Sequence, residues 1–181
     1  MKSIPKNAGQ AAPTRISGAK IMTYARFSTP VDDRYLDDYI PGSVHRFGPI
    51  VADEEEMIAF AKRYDPQIYH TDPEAARKSI FGGLIASGWY TSALTTRLLV
   101  DNYFSRVASL AALGIDNIRF VLSVRPGDRL WVRAHVVKTR RSRSKPERGI
   151  LQTYVEVVNQ HEQVVMTVKG SCIMLYRDKG N

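Results

Sequence analysis

The chain of 181 residues contains a single cysteine, Cys172, so no intramolecular disulfide can form. Cys172 lies in the apolar run Ser171-Cys172-Ile173-Met174-Leu175, which predicts a buried, inert thiol suited to a reducing compartment. Long hydrophobic runs are missing as well. The most apolar stretch, 82–103, is broken by Ser87, Ser92, Thr95, Thr96, Arg97 and Asp101, too polar to span a bilayer. Lys2 and Lys6 have no apolar run behind them. Neither a signal peptide nor a membrane partner is therefore expected, and the cytoplasm is the expected address.

An acidic excess is also absent: the formal net charge is +8. Residues 1–20 carry Lys2, Lys6, Arg15 and Lys20 with no acid, and residues 138–149 carry six basic residues against Glu147. The excess thus sits on a tail and one loop, leaving the body near neutral. No aromatic interleaves the basic run, so nucleic acid is not an expected partner. His45, His135 and His161 are isolated and lack metal-ligand spacing, and no glycine-rich phosphate loop occurs. No metal and no cofactor are expected.

What is present reads as one globular unit, with 44% hydrophobic and 24% charged residues. Residues 1–20 are small, polar and basic without periodicity, a mobile tail in expectation, and 21–181 form a single domain. Pro41-Gly42 marks a turn, and Ser43 to Phe47 alternates as a short strand. Asp53 can cap a helix over 53–65, with Glu56 placed for a capping box and Met57, Ile58, Phe60 and Ala61 as its apolar stripe. Pro66 disfavours helix at Asp65 and ends it. Residues 65–72 then read as a loop, and Pro73 to Arg77 as a short helix. From Ser87 to Phe104 the spacing of Trp89, Ala93, Leu94, Leu98 and Tyr103 predicts a helix buried on much of its circumference.

The remainder alternates. Residues 117–123, the run from Leu130 to Val136, the run from Leu151 to Val157 and residues 164–176 predict four strands joined as an antiparallel meander. Helices segregated from antiparallel strands make an α+β fold. A sheet wrapped around one apolar helix, the hot-dog arrangement, is the economical way to bury both.

The densest polar cluster is Tyr64-Asp65-Pro66-Gln67-Ile68-Tyr69-His70-Thr71-Asp72. Asp65 and His70 lie five residues apart across a proline-containing turn, close enough to converge on one small molecule. A carboxylate and an imidazole holding one water form an acid/base pair, since one can take a proton while the other gives one. The plainer alternative is that Asp65 ends a helix and His70 satisfies a local backbone group.

The segment 65–72, followed by Phe81-Gly82-Gly83-Leu84-Ile85-Ala86-Ser87-Gly88-Trp89, resembles the MaoC-like dehydratase family, the (R)-specific enoyl-CoA hydratases. Arg125-Pro126-Gly127-Asp128 and Ser142-Arg143-Ser144-Lys145-Pro146 share the likeness, which runs over about residues 35–176. It implies a homodimeric hot-dog fold with Asp65 and His70 as catalytic residues. It also implies a thioester carbonyl held by the Gly88 backbone N–H, where helix-start amides favour a developing oxyanion. Alternatively, Gly88 is small because the helix start packs on the sheet. Gln67, Tyr69 and Thr96 are further candidate substrate contacts.

The sequence departs from the family pattern at three places. Gln67 replaces the usual Asn, with Pro66 one place early; Ser87 stands where many members have His; and Thr96 falls where some have a serine contacting the catalytic loop. In the basic loop, Arg141, Arg143 and Lys145 are candidates for the phosphates of coenzyme A, or are simply solvated. The expected function is hydration of an enoyl-CoA, or the reverse dehydration. The alternatives are a hot-dog acyl-CoA thioesterase and a non-catalytic acyl-CoA-binding subunit.

Overall fold

The computed structural model describes residues 23–178; the expected tail at 1–20 lies outside the described residues. Strand β1 (Val44–Val51) is followed by helices α1 (Glu54–Tyr64), α2 (Ile68–Thr71), α3 (Pro73–Lys78) and α4 (Gly88–Asn102). Strands β2 (Ser109–Phe120), β3 (Arg129–Arg141), β4 (Arg148–Val158) and β5 (Val164–Leu175) complete the domain. The architecture is the α+β hot-dog: a five-stranded antiparallel sheet with α4 packed along it.

The expected meander holds only for β3, β4 and β5. The sheet order is β1-β3-β4-β5-β2, so β2 pairs with β5 at one edge and β3 starts beside β1 at the other. The turn at Pro126-Gly127-Asp128 is not a hairpin between β2 and β3. Gly127 N–H donates to Ala52 O and Ala52 N–H to Asp128 O, so the turn is pinned to the end of β1. Strand β2 also begins well before residue 117. Irregularities between Ser109 and Ala111, Ala112 and Gly114, and Ile115 and Asn117 break its pairing register. Each shifts which side chains face inward and erases the period-two signal.

Helix α1 starts where Asp53 accepts from Glu56 N–H at 3.0 Å. Only this half of the capping box forms, because the Glu56 carboxylate accepts from Tyr90 Oη instead. Met57 and Ala61 are fully buried, with Ile58 and Phe60 packed beside them. Residues 65–72 are not all loop. His70 N–H donates to Gln67 O and Asp72 N–H to Ile68 O, closing the one-turn helix α2. Asp72 then caps α3 by accepting from Glu74 and Ala75 N–H.

Helix α4 buries one face, Tyr90, Thr91, Leu94, Thr95, Leu98 and Leu99, against Val132, Ala134, Leu151 and Met166 of the sheet. Each aliphatic side chain so buried contributes about 1.5–3 kcal/mol. The other face is more open than the sequence suggests: Trp89, Ala93, Thr96, Arg97 and Val100 are exposed. No described helix is long and apolar enough to cross a membrane.

Candidate active site

Three chain segments meet at the N-terminus of α4. The first is the end of α1, where Pro66 forbids another helical residue and leaves Asp65 as the C-cap, outside helical geometry. The second is α2, whose single turn carries Tyr69 and His70. The third is the stretch 84–87 leading into α4, held by Ile85 N–H to Tyr69 O and Ala86 N–H to Val124 O.

His70 is buried, and its Nδ1 lies 2.8 Å from Ile85 O. A carbonyl only accepts, so Nδ1 carries the proton. In the neutral imidazole this leaves the lone pair on Nε2. That atom faces Asp65 Oδ2 at 3.5 Å, longer than a direct hydrogen bond. Two acceptors face each other there, an arrangement that a proton or a water donating to both would satisfy. Asp65 keeps a quarter of its side chain exposed while His70 is nearly enclosed.

Ser87 completes the arrangement. It is fully buried, and its hydroxyl donates to Asp65 Oδ2 at 2.7 Å while accepting from Trp89 N–H at 3.2 Å. The residue is thus the N-cap of α4 and the anchor of the carboxylate at once. Sequence reasoning noted Ser87 only as a departure. A serine immediately before the first residue of a predicted helix was the available signal.

Gly88 is the first residue of α4, among the amides that an α-helix leaves without intrahelical partners. It also lies against Phe120: a Cβ at this position would stand 2.6 Å from the ring. The packing reason for glycine is therefore present beside the amide. The adjoining cavity, about 310 Å³, is bounded by Tyr69, His70, Gly88, Thr91, Phe120 and Val124 among others. Tyr69 packs edge-on to His70 and against Phe81. Thr91, one turn into α4, brings a buried hydroxyl to the cavity that the sequence reading did not single out.

Several candidates fall elsewhere. Gln67 is the N-cap of α2; its side chain is exposed and does not line the cavity, while its carbonyl accepts from His70 N–H. Thr96 does not reach the Asp65–His70 loop. It sits two turns along α4 with its hydroxyl bonded to Ser92 O, lining a different cavity. Arg141 is already engaged, donating to Pro146 O within its own hairpin and stacked 3.8 Å over Tyr176, just past β5. Arg143 and Lys145 are exposed at the tip.

That tip is at the far end of the sheet. Gly149 pairs with Met174, whereas Phe120 beside Gly88 pairs with Met166. Eight residues of β5 at about 3.4 Å each separate the two ends by about 27 Å. Within one chain the basic loop and the Asp65–His70 pair do not converge. Cys172 is half-buried, and burial pushes its thiol up to about 11. Among the described residues no three His, Cys, Asp or Glu side chains cluster as a metal site.

The family model described as MaoC like domain matches residues 38–163. An uncharacterized protein of Bacillus subtilis, YdeM, is 31% identical over 127 residues, covering 70% of this chain and 89% of that protein. The 3-hydroxyacyl-thioester dehydratase Z of Mycobacterium tuberculosis is 33% identical over 106 residues, 58% of this chain and 70% of that one. Among solved structures, a MaoC-like dehydratase from Rhodospirillum rubrum superposes with a TM-score of 0.73 at 33% identity, covering 80% of this chain and 99% of that chain. The (R)-hydratase from A. caviae, at 23% identity, a TM-score of 0.60 and coverage of 76% and 97%, shares the fold.

Proposed function

Because the chain belongs to the MaoC-like family of hydratases and dehydratases, we propose that it adds water across the double bond of an enoyl-CoA thioester, or removes water from a 3-hydroxyacyl-CoA. The observation that carries this reading is the facing of Asp65 Oδ2 and His70 Nε2 at 3.5 Å, an acceptor pair spaced to hold a water. In the proposed reaction, the thioester carbonyl accepts from Gly88 N–H at the positive end of α4. The water held by the pair adds to C3. As the C3–O bond forms, the pair takes one proton from the water and gives one to C2. It ends the cycle in the protonation state in which it began, so one geometry serves both directions.

The acting form is a homodimer. Strand β2 is exposed along almost its whole length and ends the sheet on one side. Leu110, Leu113, Ile115 and Phe120 on β2, with Val121 just beyond it, are large, apolar and open to solvent. An unpaired apolar edge of this kind is ordinarily covered, and a second copy about a two-fold axis is the commonest cover.

The direct test incubates the protein with a panel of enoyl-CoAs and separates hydrated product from free acid. Hydrated thioester is the expected product. Free acid with intact double bond would instead support a thioesterase, and binding without turnover a non-catalytic acyl-CoA subunit.

A further inference from the structure

Residues 23–29 run beside the start of β1 with no helix or strand of their own. One backbone hydrogen bond, Ala25 N–H to Val44 O at 2.8 Å, ties them to the strand. Most of the attachment is the Phe27 ring. The His45 imidazole stacks on it with 3.9 Å between centroids and 5° between planes, and the Arg34 guanidinium lies 3.6 Å from its centroid. Two groups that near to one centroid cannot share a face, so Phe27 is sandwiched between them. Tyr39 and Tyr103 close its edge at 5.1 and 5.9 Å.

His45 and Arg34 are only 3% and 4% exposed. Arg34 donates to Asn102 O and Tyr103 O at the end of α4, and to Thr29 O, so its charge is fixed in place. His45 Nε2 pairs with Ser43 Oγ. Four buried side-chain polar atoms among the described residues make no hydrogen bond, and three of them are here: His45 Nδ1, Arg34 Nε and Thr29 Oγ1. Unpaired buried groups weaken the closed arrangement.

The groups facing His45 are the Ala25 backbone and Phe27 from the segment, Arg34, Ser43 and Phe47 around the start of β1, and Tyr103 beyond α4. No carboxylate is among them. Burial opposes a proton on the imidazole, the Ala25 backbone favours one and the Arg34 charge opposes it. The cation–π attraction of the ring is already engaged by Arg34, and it offsets only part of the cost of burying a second charge.

We propose that residues 23–29 form an acid-released strap: protonation of His45 sets a second buried cation across the Phe27 ring from Arg34, and the strap lifts so that the imidazolium reaches water. The domain beneath stays closed, because Arg34 still caps α4 through Asn102 O and Tyr103 O. Lifting uncovers Tyr103, whose hydroxyl lies 3.1 Å from Thr153 Oγ1 on the wall of the cavity between α4 and the sheet.

Hydrogen exchange of the full-length protein at pH 7.5 and pH 5.0, read by mass spectrometry as protection factors, follows the strap apart from the rest. Protection over 24–29 should fall at least fivefold between the two pH values, while that over 151–157 in β4 holds. A proton bound only in the lifted state, at the ordinary imidazole value of 6.5, sets a ceiling of about thirtyfold at pH 5.0. His45→Phe keeps the stack and His45→Gln keeps a partner for Ser43; neither titrates, and in each the fall should vanish, so one folded variant suffices. A strap indifferent to pH, or a fall that survives the substitution, would overturn the proposal. Equal loss of protection in β4 would overturn it too, since the whole domain would then be opening.

Discussion

Ser87 holds Asp65: its hydroxyl, 2.7 Å from Oδ2, fixes the carboxylate oxygen that faces His70 Nε2. The same hydroxyl caps α4 through Trp89 N–H, so the helix start and the carboxylate are positioned by one atom. Ser87→Ala should therefore cost both stability and rate. Loss of the cap costs about 1 kcal/mol, roughly 2–4 °C in Tm for a chain of this size. Loss of the hydrogen bond to a charged group, at about 1.5–3 kcal/mol, should lower kcat about 10- to 100-fold with a smaller change in KM. A positioning role predicts an altered pH profile of kcat as well, measured well below Tm. An unaltered profile with unchanged kcat would leave Ser87 as a cap alone.

The pair itself gives the larger effect. Asp65→Asn and His70→Gln should each lower hydratase turnover by about 10²–10⁴-fold, the usual acid–base contribution. Circular dichroism should show both variants folded. Near-native turnover in either would remove the proposed mechanism.

Gly88 serves a packing role and offers an amide, and these can be separated because alanine keeps the amide. Gly88→Ala places a methyl 2.6 Å from the Phe120 ring, an overpacking that costs about 1–3 kcal/mol. In a Phe120→Ala background the same substitution should cost far less, giving a clear coupling energy in a double-mutant cycle. Additive effects on Tm would mean that the ring moves aside freely.

Much of the site was legible because its signals are local. Pro66 fixes the end of α1 whatever the tertiary context, and that places Asp65. The five-residue separation then leaves room for only one turn before His70. Ser87 escaped because its decisive partner lies 22 residues away. Thr96 misled because a likeness in sequence carries no information on which helix face a residue takes. The start of β2 was hidden by its irregularities, and its edge position by a connection that crosses the sheet end. Strand order is a long-range property that alternation does not encode.

His45 gives the protein an acid-sensitive point. It is buried, stacked on Phe27 at 3.9 Å, and bonded through Nε2 to Ser43 Oγ. Burial holds it below its ordinary value of 6.5, and the nearby Arg34 charge acts in the same direction. Below pH 6.5 the unfolded chain therefore binds a proton that folded His45 does not. Stability is fully present above that pH and falls as the pH drops towards the folded-state value. His45→Phe should retain the stack and flatten the fall in Tm between pH 7 and 5. An identical slope in both proteins would assign the acid sensitivity elsewhere.

The last prediction joins the dimer to the basic hairpin. Within one chain the tip carrying Arg143 and Lys145 is about 27 Å along the sheet from the end that holds Gly88, whereas the coenzyme A arm from sulfur to its first phosphate spans roughly 16 Å when extended. Antiparallel pairing of β2 with a second β2 changes the distance, because it sets the partner's Ser109 end beside this chain's Phe120 end. Arg148 pairs with Leu175 on that Ser109 side. From β5 of one copy to β4 of the other there are four strand spacings of about 4.8 Å, or roughly 19 Å, about 3 Å beyond the extended arm and within the added reach of an Arg or Lys side chain. Arg143→Ala with Lys145→Ala should then raise KM for coenzyme A thioesters several-fold more than for pantetheine thioesters, and the difference should shrink at high salt as screening grows. Arg141 is left out of the variant because its stack on Tyr176 is structural. Light scattering should give twice the chain mass for both proteins. Equal KM changes for the two substrate classes would return the hairpin to a solvated role, and a fully active monomer would remove the shared site altogether.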